Sequence, residues 1–134
     1  MNAIVGDGAP FAVTLEGLPP SVNALYRSKL NGQRYKREGA REWQTAAAIV
    51  LRAAWRPRPR IEGPARVSIV LRTKDRRRWD VDNRAKAVLD AIQDAGILRD
   101  DAQVHRLEIR RDMGERDMTE LIVEPIDEGR EESI

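Results

Sequence analysis

One passage constrains the fold more than any other. Ala65 to Lys74 (ARVSIVLRTK) reads as a strand and Val81 to Ala95 as a helix, and a short arginine-rich link joins them. Val67, Ile69 and Leu71 alternate onto one face while Val70 takes the other, which predicts a central strand covered on both sides. In the helix, Val81, Ala85, Val88, Leu89 and Ile92 form a single apolar stripe. Asp80 or Asp82 is suited to cap its start, and Gly96 to end it in a left-handed conformation. A strand that hands the chain to an amphipathic helix brings whatever the link carries to one end of a sheet. The link carries Arg76-Arg77-Arg78-Trp79-Asp80-Val81-Asp82-Asn83.

The remaining elements follow from similar patterns. Phe11 to Leu18 reads as a strand stopped by Gly17 and Pro19-Pro20. Ser21 to Lys36 reads as a polar loop holding a short hairpin around Asn31-Gly32. It also offers Tyr26 for stacking and Arg27 for phosphate, and the plain connection is the slightly favoured reading. Glu38 to Trp55 is a predicted helix whose buried face is Trp43, Ala47, Val50, Leu51 and Ala54. Trp43 and Trp55 fit core anchors better than base-stacking residues. Arg56 to Pro64 (RPRPRIEGP) breaks the helix and reads as an extended surface loop with phosphate contacts open to it. Gln103 to Arg111 and Thr119 to Ile126 read as two further strands with a turn around Gly114. His105, the single histidine, suits a surface or strand-edge place. The division expected is a ragged lead-in at 1–10, one domain at 11–126, and an acidic, disordered tail at 127–134.

Charge is distributed unevenly. The formal net is only +2, yet Arg52 to Arg78 holds ten Lys/Arg against Glu62 and Asp75, and the segment from Met113 onward is acidic. Local potential, rather than total charge, steers a polyanion. The competing reading is a solvated arginine-rich loop without a partner. The lack of cysteine excludes disulfides and thiolate metal sites, and a single histidine makes a zinc site a poor fit. No signal peptide or membrane-length apolar run is evident.

The acidic residues suggest chemistry. Asp80 and Asp82 project to one side if their segment is extended. Asp100-Asp101 adds further carboxylates, and such oxygen donors suit Mg²⁺, with Mn²⁺ an acceptable substitute. Lys86, one turn into the helix, is placed to stabilise charge on a phosphate under attack. Each has a plainer role: a cap for Asp80, an i,i+4 ion pair between Asp82 and Lys86, a solvated turn for Asp100-Asp101. A helix of about 15 residues spans roughly 22 Å, so the two acidic groups meet only if residues 96–101 run straight back or a second subunit supplies one of them. A homodimer is therefore expected, with the source of the third carboxylate open.

These residues form a recognisable set. Arg76 to Asn83, then Lys86, Leu89-Asp90-Ala91, Gly96 and Asp100-Asp101-Ala102-Gln103-Val104 closely resemble the RusA family of Holliday-junction resolvases, and Pro19-Pro20-Ser21-Val22-Asn23 with Tyr26-Arg27 is similar to that family's N-terminal loop. The resemblance implies an α+β fold, a small mixed sheet with two main helices, in a homodimer. It implies a Mg²⁺-dependent, structure-selective endodeoxyribonuclease that resolves four-way DNA junctions by paired symmetric nicks in recombination and repair. It also implies a cytoplasmic protein of bacterial or prophage origin. The catalytic set is Asp80, Asp82, Lys86 and Asp101, and the metal ligands Asp80, Asp82, Asp100 and Asp101. The expected DNA contacts are Asn23, Tyr26, Arg27, Arg76, Arg77, Arg78 and Asn83. Trp79 departs from the family, which often has a basic residue there, and so does the acidic tail. The alternatives are a metal-dependent nuclease of flaps or forks, and a non-catalytic DNA-binding module.

Overall fold

The computed structural model describes residues 10–21, 26–28, 34–36 and 38–127. The elements are β1 (Phe11–Glu16), β2 (Tyr26–Ser28), β3 (Arg34–Lys36), α1 (Glu38–Trp55), β4 (Ala65–Thr73), α2 (Ala85–Asp94), β5 (Val104–Met113) and β6 (Met118–Pro125). The four longer strands form a mixed sheet in the order β1-β6-β4-β5, and β2 pairs with β3 in a separate antiparallel hairpin. The fold is therefore α+β with two main helices, as expected. Asn23, the hairpin tip at Asn31-Gly32 and most of both predicted terminal segments lie outside the described residues.

β4 is central, antiparallel to β6 and parallel to β5. Its odd-numbered side chains, from Ala65 to Thr73, are all buried. They meet Leu121 and Val123 of β6, Phe11 and Leu15 of β1, and the inner faces of both helices in one core. The even-numbered residues are only half-buried, so β4 is fully covered on one face.

α1 has the predicted bounds, but its buried face is rotated from the predicted one. Gln44, Ala47, Ala48, Leu51 and Trp55 are buried, whereas Val50 is 45% exposed. A polar residue enters the face because its partner is there: the Gln44 amide donates to the Asp94 carboxylate at 2.6 Å. Arg52 adds a 2.6 Å bond to the Asp94 carbonyl, so the end of α2 is tied twice to α1. Trp55 meets Phe11 edge-on at 5.0 Å between centroids. Arg58 lies over Trp55, 4.9 Å from its centroid, so this arginine of the Pro-Arg loop serves the core. Leu51 is completely buried among these groups. Leu51→Ala is expected to destabilise the domain by about 2–5 kcal/mol in urea unfolding, with the slope unchanged.

The predicted single helix from Val81 divides in two. A 3₁₀ turn, Asp82–Arg84, precedes α2, and neither Asp80 nor Asp82 caps it. The end of α2 follows expectation. Gly96 has φ 81°, its N–H donates to the Gln93 carbonyl and that of Ile97 to Ile92. This pair of bonds is the Schellman arrangement, which needs a left-handed residue at that point.

Gly114 explains the route from β5 to β6. These strands are not neighbours, since β4 lies between them. The connection must cross the end of β4, and the Gly114 N–H donates to the Thr73 carbonyl at 2.9 Å. A Cβ on Gly114 would stand 3.1 Å from that of Arg72, a tight approach that a residue without one relieves.

Candidate active site

β4 releases the chain at Thr73 into the arginine loop, and Arg111 of β5 holds that loop in place. Its guanidinium donates to the Thr73 hydroxyl at 3.0 Å, the Asp75 carbonyl at 2.9 Å and the Arg77 carbonyl at 2.7 Å. Asp75 turns back on its own loop, accepting the Arg77 N–H at 3.0 Å. That bond, with the charges of Arg77 and Arg111 nearby, holds the Asp75 carboxyl below its ordinary range. A lowered folded value means that Asp75 steadies the loop above the titration range of a free aspartate, and that this support is lost as pH falls through the folded value.

The loop delivers Asp80 to an open cleft of about 420 Å³ lined by Arg76, Arg78, Trp79, Asp80 and Arg111. The Arg76 and Arg78 side chains are exposed and have no protein partner among the described residues. Arg77 differs, because its guanidinium turns to Asp75 at 3.4 Å. Asp80 is exposed and accepts a 3.3 Å bond from the Asn83 amide. Asn83 thus serves Asp80 within this chain. Asp82 is exposed and unpartnered among the described residues. Val81 between them has φ −64° and ψ −43°, which is helical. The expected extended pairing of Asp80 with Asp82 is therefore not the geometry here, since i and i+2 do not face each other in a helix. Nor does Lys86 pair with Asp82. It meets Asp90 at 3.3 Å, one turn further on.

Asp100 and Asp101 are elsewhere. Ile97 and Leu98 are buried, and Leu98 forms a bridge with Ile61, so residues 96–101 do not run back along α2. Asp100 caps the 3₁₀ turn Asp101–Gln103, accepting the Ala102 N–H at 2.8 Å. Gln103 completes a capping box and also donates to the carbonyls of Ile61 and Gly63. It is the joint that holds this acidic turn, a role its polar side chain at a strand start did not announce. Asp101 is exposed, and its side chain is unpartnered among the described residues.

Strand register shows that the two acidic segments adjoin opposite ends of the β4–β5 ladder. Thr73, just before the arginine loop, pairs with Met113, whereas Ala65 pairs with Val104, just after Asp101–Gln103. The two ends of this ladder are about 26 Å apart at roughly 3.3 Å per residue. Among the described residues no three acidic or histidine side chains come together as a metal site. One chain therefore presents Asp80 and Asp82 at one end and Asp100 and Asp101 at the other. The donor type fits a hard divalent cation, but one chain supplies only part of a ligand set. The backbones of Tyr26 and Arg27 lie in β2, and their side chains are outside the described part.

The family model for Endodeoxyribonuclease RusA matches residues 16–124, which include both acidic ends. The chain belongs to the RusA family. It is 35% identical over 94 residues to the "Crossover junction endodeoxyribonuclease RusA" of Escherichia coli (strain K12), covering 70% of this chain and 76% of that protein. The protein of the same name from Shigella sonnei (strain Ss046) is 34% identical over the same shares. This is an endodeoxyribonuclease family whose members are in general metal-dependent. No helix among the described residues is long and apolar enough to cross a membrane.

Proposed function

We propose that this RusA-family chain is a Mg²⁺-dependent endonuclease that resolves four-way DNA junctions by paired nicks, acting as a homodimer in the bacterial or phage-infected cytoplasm. The observation that carries this reading is the cleft in which two guanidiniums unpartnered among the described residues, Arg76 and Arg78, stand beside the Asp80 carboxylate. Cations without protein partners suit phosphate, and a carboxylate among them suits the metal that phosphodiester hydrolysis needs. Asp80 and Asp82 of one subunit, with Asp100 or Asp101 of the other, would hold the ion. When bound, it supplies Lewis-acid stabilisation and lowers the pKa of an attacking water.

The opposite placement of the acidic groups supports the dimer. A two-fold axis midway along the β4–β5 ladder carries the Asp100–Asp101 end of one subunit to the Asp80–Asp82 end of the other. Two composite sites result, related by the same axis as the two opposed strands of a junction. Arg76 and Arg78 hold the backbone, with Tyr26, Arg27 and Asn23 completing the grip from the N-terminal loop. Lys86 leaves Asp90 to meet the phosphoryl oxygens as negative charge builds on them.

A synthetic four-way junction and a matched linear duplex, each with Mg²⁺ and with EDTA, test the reading. Cutting of the junction alone, in Mg²⁺ alone, is expected. Equal cutting of linear duplex would leave a general nuclease, and no cutting of any branched DNA in Mg²⁺ or Mn²⁺ would leave a binding module. Lys86→Ala should lower turnover by roughly 10²–10³-fold, the scale of one lost electrostatic contact in a transition state. Its melting temperature should fall only slightly, because Lys86 is half-exposed and an i,i+4 pair contributes only a few tenths of a kcal/mol.

A further inference from the structure

Trp79 is the last residue of the arginine-rich link before Asp80, and two arginines enclose it. The ring is half-buried against the core. The Arg84 guanidinium lies 4.3 Å from its centroid and that of Arg111 4.2 Å. Neither arginine is loose. Arg111 donates to Thr73, Asp75 and Arg77, and Arg84 donates to the Pro19 carbonyl at 2.7 Å. The end of β5 and the turn before α2 thus meet at one indole, and Arg84 ties that turn to the Pro19-Pro20 segment.

We infer that Trp79 is a positioning residue that fixes where Asp80 stands, with Arg84 and Arg111 securing the ring. This rests on the endonuclease reading, in which Asp80 is a metal ligand. Asp80 is the next residue along the chain, and among the described residues its own side chain has only the long, exposed bond from Asn83. Its place is therefore inherited from the residue before it. Burial and the neighbouring Arg111 both push the Arg84 pKa down, the expected result of bringing two guanidiniums close together. The electron-rich ring offsets part of that cost, and the contact strengthens as water is removed. A ring engaged in this way is not a platform for a DNA base, so Trp79 acts through Asp80 and not on the substrate. Arg111, with its donors committed to the loop, is likewise no phosphate ligand.

The test compares the full chain with Trp79→Leu, which removes the ring, Trp79→Phe, which keeps an aromatic face, and Arg111→Lys, which keeps a cation but loses the three-way bond. Turnover and KM on a four-way junction are measured in Mg²⁺, and amide hydrogen exchange is measured in the free protein. Trp79→Leu and Arg111→Lys should lose roughly tenfold to a hundredfold in kcat, the usual cost of a ligand misplaced by about 1 Å, with KM within about threefold of wild type. Exchange in residues 76–83 should quicken by about tenfold while β4 and the body of α2 keep their protection. Trp79→Phe should stay within about threefold of wild type in both measurements. Wild-type kcat and exchange in Trp79→Leu would overturn the inference. So would exchange quickened across the whole sheet, which would make Trp79 an ordinary core residue, or a Phe variant as impaired as Leu. An inactive wild type would defeat the endonuclease reading instead, and local exchange would still decide whether Trp79 holds the Asp80 segment.

Discussion

Asp82→Asn is expected to lose junction cleavage by roughly three orders of magnitude or more, equivalent to about 4 kcal/mol of barrier. Folding should be unaffected, because Asp82 is exposed and its side chain makes no bond to the described residues. Junction binding measured in Ca²⁺ should be unchanged or tighter. The substitution removes a negative charge from the surface proposed to face phosphate. Loss of cleavage with retained binding separates a metal ligand from a DNA contact. Retained turnover would show that Asp82 is a bystander, and equal loss of binding would make its role structural.

Mixing two inactive variants should restore activity, and this is the sharper test of architecture. Take Asp82→Asn and Asp101→Asn, each inactive alone, and allow their subunits to exchange. In a mixed dimer with composite sites, one site collects both substitutions and the other collects neither. About half of randomly exchanged dimers are mixed, so roughly a quarter of the wild-type sites should return. Each mixed dimer holds one working site, so the product should be singly nicked junction and not resolved duplex. Sites completed within one subunit give no recovery at any mixing ratio. The expectation follows from the placement of Thr73 opposite Met113 and of Ala65 opposite Val104 in the β4–β5 ladder. The ends of that ladder are about 26 Å apart, and the two acidic segments leave it from opposite ends.

Local pattern was legible wherever one interaction range decided the outcome. The bounds of α1 followed from a run of good helix formers between a polar loop and a proline. The end of α2 followed from Gly96, since a helix that stops in the left-handed region selects glycine. β4 was readable as central from apolar residues on both faces, although only its odd-numbered face is fully buried. Failures came where a distant partner overruled the local pattern. The buried face of α1 turned toward Gln44 because Asp94 of α2 accepts its amide, a contact between residues far apart in sequence. Asp80 and Asp82 did not cap their helix, and Val81 became helical, because the loop is held by Arg111 from another strand. Arg111 itself read as one more charge on a strand.

The candidate site divides along the same line. Residue types alone marked the acidic and basic groups, since hard cations take oxygen ligands and phosphate takes guanidinium; that much of the chemistry is written in composition and spacing. Which arginines remain open to solvent, which are spent on Asp75 or on Trp79, and how far apart the carboxylates stand were decided by strand order. A parallel β4–β5 pair joined through a helix must begin and end its crossover at opposite ends of the sheet, and no one-dimensional pattern reports that distance.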